Sequence, residues 1–338
     1  MSNQKKVVLT GDRPSGNLHI GHYVGSLATR VQLQNTGDYE IYVLIADLQA
    51  LTDHAHQPDK VRQAVEEIML DYLAAGLDPH KVNFVLQSAV PALPELTMYY
   101  MNLVSQARLE RNPTVKTEIK SKGFNRDVPV GFVNYPISQA ADITAFGAQV
   151  VPVGADQAPM LELTREIVAT FNRLYGPILT APAAMMPAKE LGRLVGIDGN
   201  GKMSKSLGNC IYLKDSAAEL QKKVNQMYTD PNHLKITDPG KVEGNVVFMY
   251  LDAFYADKKH LAELKKQYRA GGLGDVALKK LLFGVLDNLL APMRERRAFY
   301  EQRMDEVRGY LQQGTAKAVA RTNQLLAQVR QAIGIYQL

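Results

Sequence analysis

The sequence predicts an α/β fold, a parallel sheet layered with helices, followed by an all-helical segment. Three observations carry that expectation. Short apolar runs alternate with amphipathic stretches of helical period. Glycine- and proline-rich breakers separate the two kinds of segment. Beyond about residue 215 the strand-like runs cease and only helical patterns remain.

Lys6-Val7-Val8-Leu9-Thr10 reads as a buried first strand, and Gly11-Asp12-Arg13-Pro14-Ser15-Gly16-Asn17 as the turn after it. The spacing of Ile20, Val24, Leu27 and Val31 predicts a helix over 20–33. Ile41-Tyr42-Val43-Leu44-Ile45-Ala46 and Asn83-Phe84-Val85-Leu86-Gln87 supply a second and a third strand. Between them lies an amphipathic helix over 59–75, with Val61, Val65, Ile68 and Tyr72 on its apolar side. It stops at Gly76-Leu77-Asp78-Pro79, glycine at the end and proline just beyond. Ala148-Gln149-Val150-Val151-Pro152-Val153 is a fourth strand. Such alternation places the ligand crevice beyond the carboxyl ends of the strands. Further helices are predicted over 216–227, 246–255, 258–268, 276–312 and 316–333, the fourth of them broken or kinked at Pro292. Gly271-Gly272-Leu273-Gly274 forms a hinge-like break before that long one. There is no internal repeat and no low-complexity linker.

The 338 residues suit two domains, and 46% hydrophobic with 22% charged residues is the balance of a globular chain with a sizeable core. Cys210 is the only cysteine, which excludes an internal disulfide and a cysteine-cluster zinc site and fits a reducing cytoplasm. The first residues hold too short an apolar run for a signal peptide, and no 18-residue apolar run suggests a membrane span. A net charge of +5 and a pI near 9.0 fit a polyanionic partner without requiring one.

Two segments carry chemistry. The first joins the opening strand to a helix start through Pro14-Ser15-Gly16 and His19-Ile20-Gly21-His22. A helix start offers unpaired backbone N–H groups and a positive dipole end, both favourable to phosphate. Gly21 has no Cβ to hold a ligand away. His19 and His22, three apart, share a face and can donate hydrogen bonds to developing phosphate charge. Each histidine taken alone is more simply an ordinary surface or helix-start residue. A zinc reading lacks the third ligand that such a site needs, so no metal site is expected. Neither GxxxxGK[ST] nor GxGxxG occurs. The second segment is the glycine-studded loop Gly199-Asn200-Gly201-Lys202-Met203-Ser204-Lys205-Ser206-Leu207-Gly208-Asn209. Its glycines give mobility, and Lys202 and Lys205 bring positive charge suited to a polyphosphate.

His19-Ile20-Gly21-His22 and Lys202-Met203-Ser204-Lys205-Ser206 match letter for letter the HIGH and KMSKS signatures of class I aminoacyl-tRNA synthetases, about 180 residues apart and in the expected order. The resemblance implies a Rossmann-like parallel-sheet catalytic domain over 1–214, with 303–338 packing back on it. An all-helical anticodon-binding domain is implied over 215–302. The implied chemistry is activation of an amino acid by ATP, which brings its own Mg²⁺, and transfer to tRNA, with no protein-bound metal.

Further matches, among them Tyr135-Pro136, Ala140-Ala141-Asp142-Ile143, Val151-Pro152-Val153-Gly154-Ala155-Asp156-Gln157 and Glu162-Leu163-Thr164-Arg165, resemble the bacterial tryptophanyl branch over nearly the whole chain. By that resemblance Asp142 accepts the indole N–H, and a carboxylate acceptor suits a group that can only donate. The tyrosyl branch also places an aspartate here, but adds a tyrosine on the first strand; Leu9 stands at that position and cannot hydrogen-bond. The complete KMSKS spelling points the same way, and a regulatory RNA-binding protein on a synthetase scaffold is the different-class alternative, which would be expected to damage one of the two signatures that stand intact here. The chain departs from the common bacterial pattern in Leu9 for an aromatic residue, Gln49 for a histidine and Gln139 for a methionine. These three, with Asp142, are the expected pocket wall. Tyr135 and Gln157 are expected at the α-amino group.

For ATP the expected set is Arg13, Pro14, Ser15, Gly21, His22, Gly154, Ala155, Asp156 (on the ribose), Leu194 (on adenine), Lys202, Met203, Ser204, Lys205 and Ser206. The catalytic groups are His19, His22, Lys202 and Lys205. Lys116 and Lys120 either help hold pyrophosphate or form a solvated face. Arg294, Arg296, Arg297 and Arg303 either meet tRNA or form a salt-bridged helix surface. The resemblance implies a homodimer, with tRNA(Trp) and L-tryptophan as partners; Met98-Tyr99-Tyr100-Met101-Asn102-Leu103-Val104 is an interface helix or core.

Overall fold

A computed structural model describes residues 5–121, 123–124, 127–154, 157–185, 194–201 and 203–336. Its five-stranded sheet is parallel throughout: β1 (Lys6–Asp12), β2 (Tyr39–Ile45), β3 (Val82–Leu86), β4 (Val150–Pro152) and β5 (Ala183–Met185), in the order β3-β2-β1-β4-β5. The chain builds outward from β1 to β3, then crosses back to add β4 and β5 on the other side. The order therefore reverses between β1 and β4, which opens a crevice beyond their carboxyl ends.

The strands are short and almost wholly apolar because helices cover both faces. Alternate residues of β1 and β2 divide between two cores. Val8, Ile41, Val43 and Ile45 face one, and Val7, Leu9, Tyr42 and Leu44 the other. Over the first face lie the helices Ala28–Thr36, Pro58–Ala75 and Asp275–Glu301; over the second, Ala92–Met101, Val130–Ala145 and Ala158–Tyr175. The first core runs on from the sheet through Met203, Ile211 and Leu220 to Val246, Leu278 and Leu290, so sheet and helical segment share one apolar interior.

The C-terminal helix Met304–Ile333 lies along the edge strand β3. Gly314 permits the approach, since a Cβ there would stand 2.1 Å from the Phe84 carbonyl oxygen. Next to it, the Leu86 N–H donates to Thr315 Oγ1 at 3.0 Å, so a helix side chain satisfies a strand donor that has no neighbouring strand.

Three expectations are corrected. The helix expected over 20–33 is instead a single turn Ile20–His22, a π-helical turn Tyr23–Leu27 and a helix Ala28–Thr36; such wide turns often occur at functional sites. Pro292 does not break its helix, which runs from Asp275 to Glu301. Buried Leu286, Leu290, Met293 and Arg297 flank the proline, and their packing outweighs one missing backbone hydrogen bond. The break falls at Gln302 and Arg303, so the last helix starts at Met304 and not near 316. β5 gives no sequence signal, because Ala183 and Ala184 are exposed, Met185 is half-buried and three residues are too few to show alternation.

Candidate active site

Beyond the carboxyl ends of β1 and β4 lies a cavity of about 530 Å³. Of the expected residues, Leu9, Arg13, Ser15, His22, Gln49, Tyr135, Gln139, Asp142, Gly154 and Gln157 line it. Pro14, His19, Gly21, Leu194, Met203, Ser204 and Lys205 are not among its walls. Leu194 is 8% exposed within the first core. Ala155, Asp156 and Lys202 lie outside the described residues, as does the side chain of Ser206. Lys116 and Lys120 are exposed on the helix Pro113–Ser121 and do not line the cavity, although Glu118 between them does.

At the polar end the two histidines form a reciprocal cap. His19, in extended backbone, accepts the Gly21 N–H on Nδ1 at 3.1 Å, and His22 Nδ1 accepts the His19 N–H at 3.1 Å. The ring centroids are 3.8 Å apart. Burial first, then the neighbouring His22 and Lys205, push His19 down to about 3. Burial likewise lowers His22 to about 4, against the pull of Asp12. Both imidazoles are therefore neutral near pH 7. With each Nδ1 accepting, the ring proton sits on Nε2 and each ring retains one outward donor. Gly21 is required, because a Cβ would lie 2.9 Å from His19 Cε1 and Nδ1.

The expectation of free helix-start amides is corrected here. The Ile20 N–H donates to Ile211 O at 3.0 Å, Gly21 to His19 Nδ1, and His22 to His19 O at 2.8 Å. Donors for a phosphate at this turn are the side chains.

The second signature is docked on the first. Leu213 N–H donates to Leu18 O at 3.0 Å, and His19 pairs with Tyr212 in an antiparallel bridge. Met203 is buried with its sulfur close to Gly21. Lys205 Nζ donates to Gly16 O at 2.8 Å and reaches Ser15 Oγ at 3.4 Å. Burial lowers its pKa, opposed by Asp12 and Asp71. Below the turn, Asp12 accepts from Arg30 at 2.6 Å and from the Tyr72 hydroxyl at 2.8 Å. Its carboxyl is held below its ordinary value, since Arg30 outweighs the cost of burial.

The other end of the cavity is walled by Leu9, Leu44, Ile143, Val151 and Val153 and holds Asp142, 3% exposed. Burial raises Asp142 to about 7, opposed by the Gln87 hydrogen bonds and helped by nearby Asp47. Arg13 is paired with Asp53 at 3.0 Å. The Tyr135 hydroxyl donates to Glu118 Oε2 at 2.8 Å. Among the described residues, no three His, Cys, Asp or Glu side chains gather as a metal-binding group.

Several contributors escaped the sequence reading: Gln87, Glu118, and the Asp12–Arg30–Tyr72 cluster. Gln87 carried a usable signal, since it directly follows β3 at the carboxyl edge where such folds bind ligands. The others meet across 17 to 60 residues of chain, and no local pattern announces them.

Behind the site, buried Asp71 accepts the Leu18 N–H at 2.6 Å and Arg297 Nη1 at 2.7 Å. Arg297, 5% exposed, also holds Glu67 at 2.8 Å and Glu301 at 2.7 Å. For Arg297 the salt-bridge reading applies, and the pairing with Asp71 lies in the interior.

A parallel sheet with a crevice at its order reversal, and two phosphate-suited signatures docked at its mouth, define a class I nucleotide-dependent ligase fold. The chain belongs to the class I tRNA synthetases (W and Y), whose family model matches residues 1–291. Within it, the chain is 58% identical over 335 residues to a tryptophan–tRNA ligase of Lactococcus lactis subsp. lactis (strain IL1403), covering 98% of each chain. It is 56% identical over 332 residues to that of Clostridium longisporum, covering 98% of this chain and 97% of the relative. Among solved structures, a tryptophanyl-tRNA synthetase from Campylobacter jejuni complexed with ADP and tryptophan superimposes with a TM-score of 0.84 at 30% identity, over 97% of this chain and 100% of the other.

Proposed function

We propose that the chain activates L-tryptophan with ATP and transfers it to tRNA(Trp). The observation that carries this reading is a buried carboxylate in an apolar-walled part of a cavity whose other end meets His22, with His19 and Lys205 held on the same turn behind it. The substrate carboxylate attacks the α-phosphorus, the bond to the β-phosphate oxygen breaks, and pyrophosphate leaves. The tRNA 3′-terminal hydroxyl then attacks the acyl carbon and AMP departs. His19 and His22 donate Nε2–H to charge growing on the α-phosphate, and Lys202 and Lys205 take up charge on the leaving pyrophosphate. Mg²⁺ enters with ATP on its phosphate oxygens, outside any protein cage.

Asp142 accepts the indole N–H, with Leu9, Gln49 and Gln139 completing that wall. Leu9 offers no partner to a phenol, which favours tryptophan over tyrosine. Tyr135 and Gln157 address the α-amino group. Arg13, Pro14, Ser15, Gly21, Gly154, Ala155, Asp156, Leu194, Met203, Ser204 and Ser206 make up the rest of the ATP site. Residues 215–302 recognise the anticodon, while 1–214 with 303–338 form the catalytic domain. The enzyme works as a homodimer in the cytoplasm; no described helix is long and apolar enough to cross a membrane. ATP–pyrophosphate exchange tests the reading: exchange dependent on tryptophan is expected, and exchange with tyrosine alone, or with neither, refutes it.

A further inference from the structure

We infer that Gln87 is the positioning residue for indole selection: it orients the Asp142 carboxylate so that acceptor positions stay open toward the cavity. The inference rests on the proposed role of Asp142 and adds the group that makes that role possible.

Gln87 is 1% exposed, in the short 3₁₀ turn that continues β3. Its Nε2 stands 3.0 Å from Asp142 Oδ1 and 2.9 Å from Oδ2, donating to both oxygens from one side. Its Oε1 accepts the Gln49 N–H at 3.2 Å, which settles the orientation of the amide and leaves the NH₂ facing Asp142. The carbonyl end of the same side chain is thus tied to the helix Asp47–His54, whose Gln49 is itself a cavity wall. An ionised carboxylate offers about four lone-pair positions. Gln87 occupies one on each oxygen, which fixes the carboxylate plane and leaves the remainder for a ligand donor. The same donation favours the ionised form, the stronger acceptor, against burial and against Asp47, which would both protonate the group. Asp47 in turn is held by the Ser88 N–H at 2.9 Å, next along the chain from Gln87. Nothing in this set contacts the phosphate end, so its effect belongs to the amino acid and not to ATP.

The test is Gln87→Met, which keeps the length and removes the donor, beside Gln87→Leu, Asp142→Ala and the Gln87→Met/Asp142→Ala pair. Full-length enzyme is assayed by ATP–pyrophosphate exchange with tryptophan and with its benzothiophene isostere, which replaces the ring N–H by sulfur. Loss of one oriented charge-assisted hydrogen bond corresponds to about a tenfold effect. Gln87→Met should raise KM for tryptophan about tenfold, leave KM for the isostere and for ATP within about twofold, and so lower the preference for tryptophan by about the same factor. Added to Asp142→Ala it should cost little more, because its partner is already gone. If Asp142→Ala abolishes the preference while both Gln87 variants retain it, the role of Gln87 is overturned and that of Asp142 stands. If Asp142→Ala itself retains the preference, the indole reading falls. If both Gln87 variants raise every KM alike, Gln87 serves only packing and the inference is likewise overturned.

Discussion

Replacing Arg297 by methionine should destabilise the protein strongly, and more at alkaline than at acid pH. Asp71 is fully buried and has two described partners, the Leu18 N–H and the Arg297 guanidinium. Removing the guanidinium strands a buried carboxylate, which costs about 3–5 kcal/mol. Glu67 and Glu301 are more than a third exposed, so water replaces their lost partner at little cost. Unfolding entropy of about 2 cal/mol/K per residue over a chain of this size converts that loss to a fall of about 4–7 °C in Tm. The pH dependence follows from Asp71, which burial already raises to about 6 despite Arg297. A carboxyl raised in the folded state favours folding below its unfolded pKa and loses that contribution as pH rises through its folded value. Without Arg297 the folded value climbs further, so wild type and variant should diverge most above pH 6. Glu67, which Arg297 lowers, changes with the same sign. Thermal unfolding at pH 5 and pH 8 checks this. A loss below about 1 kcal/mol, or one equal at both pH values, would refute the reasoning.

Asp142→Asn should lower kcat/KM for tryptophan by about 10- to 100-fold with KM for ATP little changed, as steady-state exchange would record. In the wild type the same quantity should fall as pH drops through about 7, where Asp142 gains its proton, and the asparagine variant should lack that limb. Gly21→Ala should reduce kcat at least about tenfold while circular dichroism stays native, because the added Cβ displaces the His19 ring that caps the turn. Since His19 and His22 titrate near 3 and 4 when folded, stability should decline as pH falls from about 6.5, and His22→Gln should blunt that decline in urea melts.

How much of this was legible follows from range. β1, β2, β3 and β4 show as apolar runs because each is buried on both faces, and the two signatures show because each is contiguous. In the helix after β1, apolar spacing cannot tell the π-helical turn Tyr23–Leu27 from an α-helical one. At Pro292 local chemistry favours a break or a kink, and packing of Leu286, Leu290 and Met293 in the core keeps the helix unbroken. At the site, Asp142 is legible beside its Ala-Ala-Asp-Ile neighbours, whereas Gln87, 55 residues earlier, offers only its place just after β3 and no local sign that it pairs with Asp142. Arg297 looked like one of several surface arginines. Only the packing of its helix against Pro58–Ala75 buries it, and that is a property of the tertiary fold.

The helix seated on β3 also has a consequence for biogenesis. The Leu86 N–H and the Thr315 hydroxyl that satisfies it are 229 residues apart. At roughly 5–20 residues per second of synthesis, the edge of β3 waits about 10–50 s for its cover. During that interval the nascent sheet has an open, apolar border of the kind that pairs with other chains. The helix Met304–Ile333 closes that border, and Gly314 is the point where it fits.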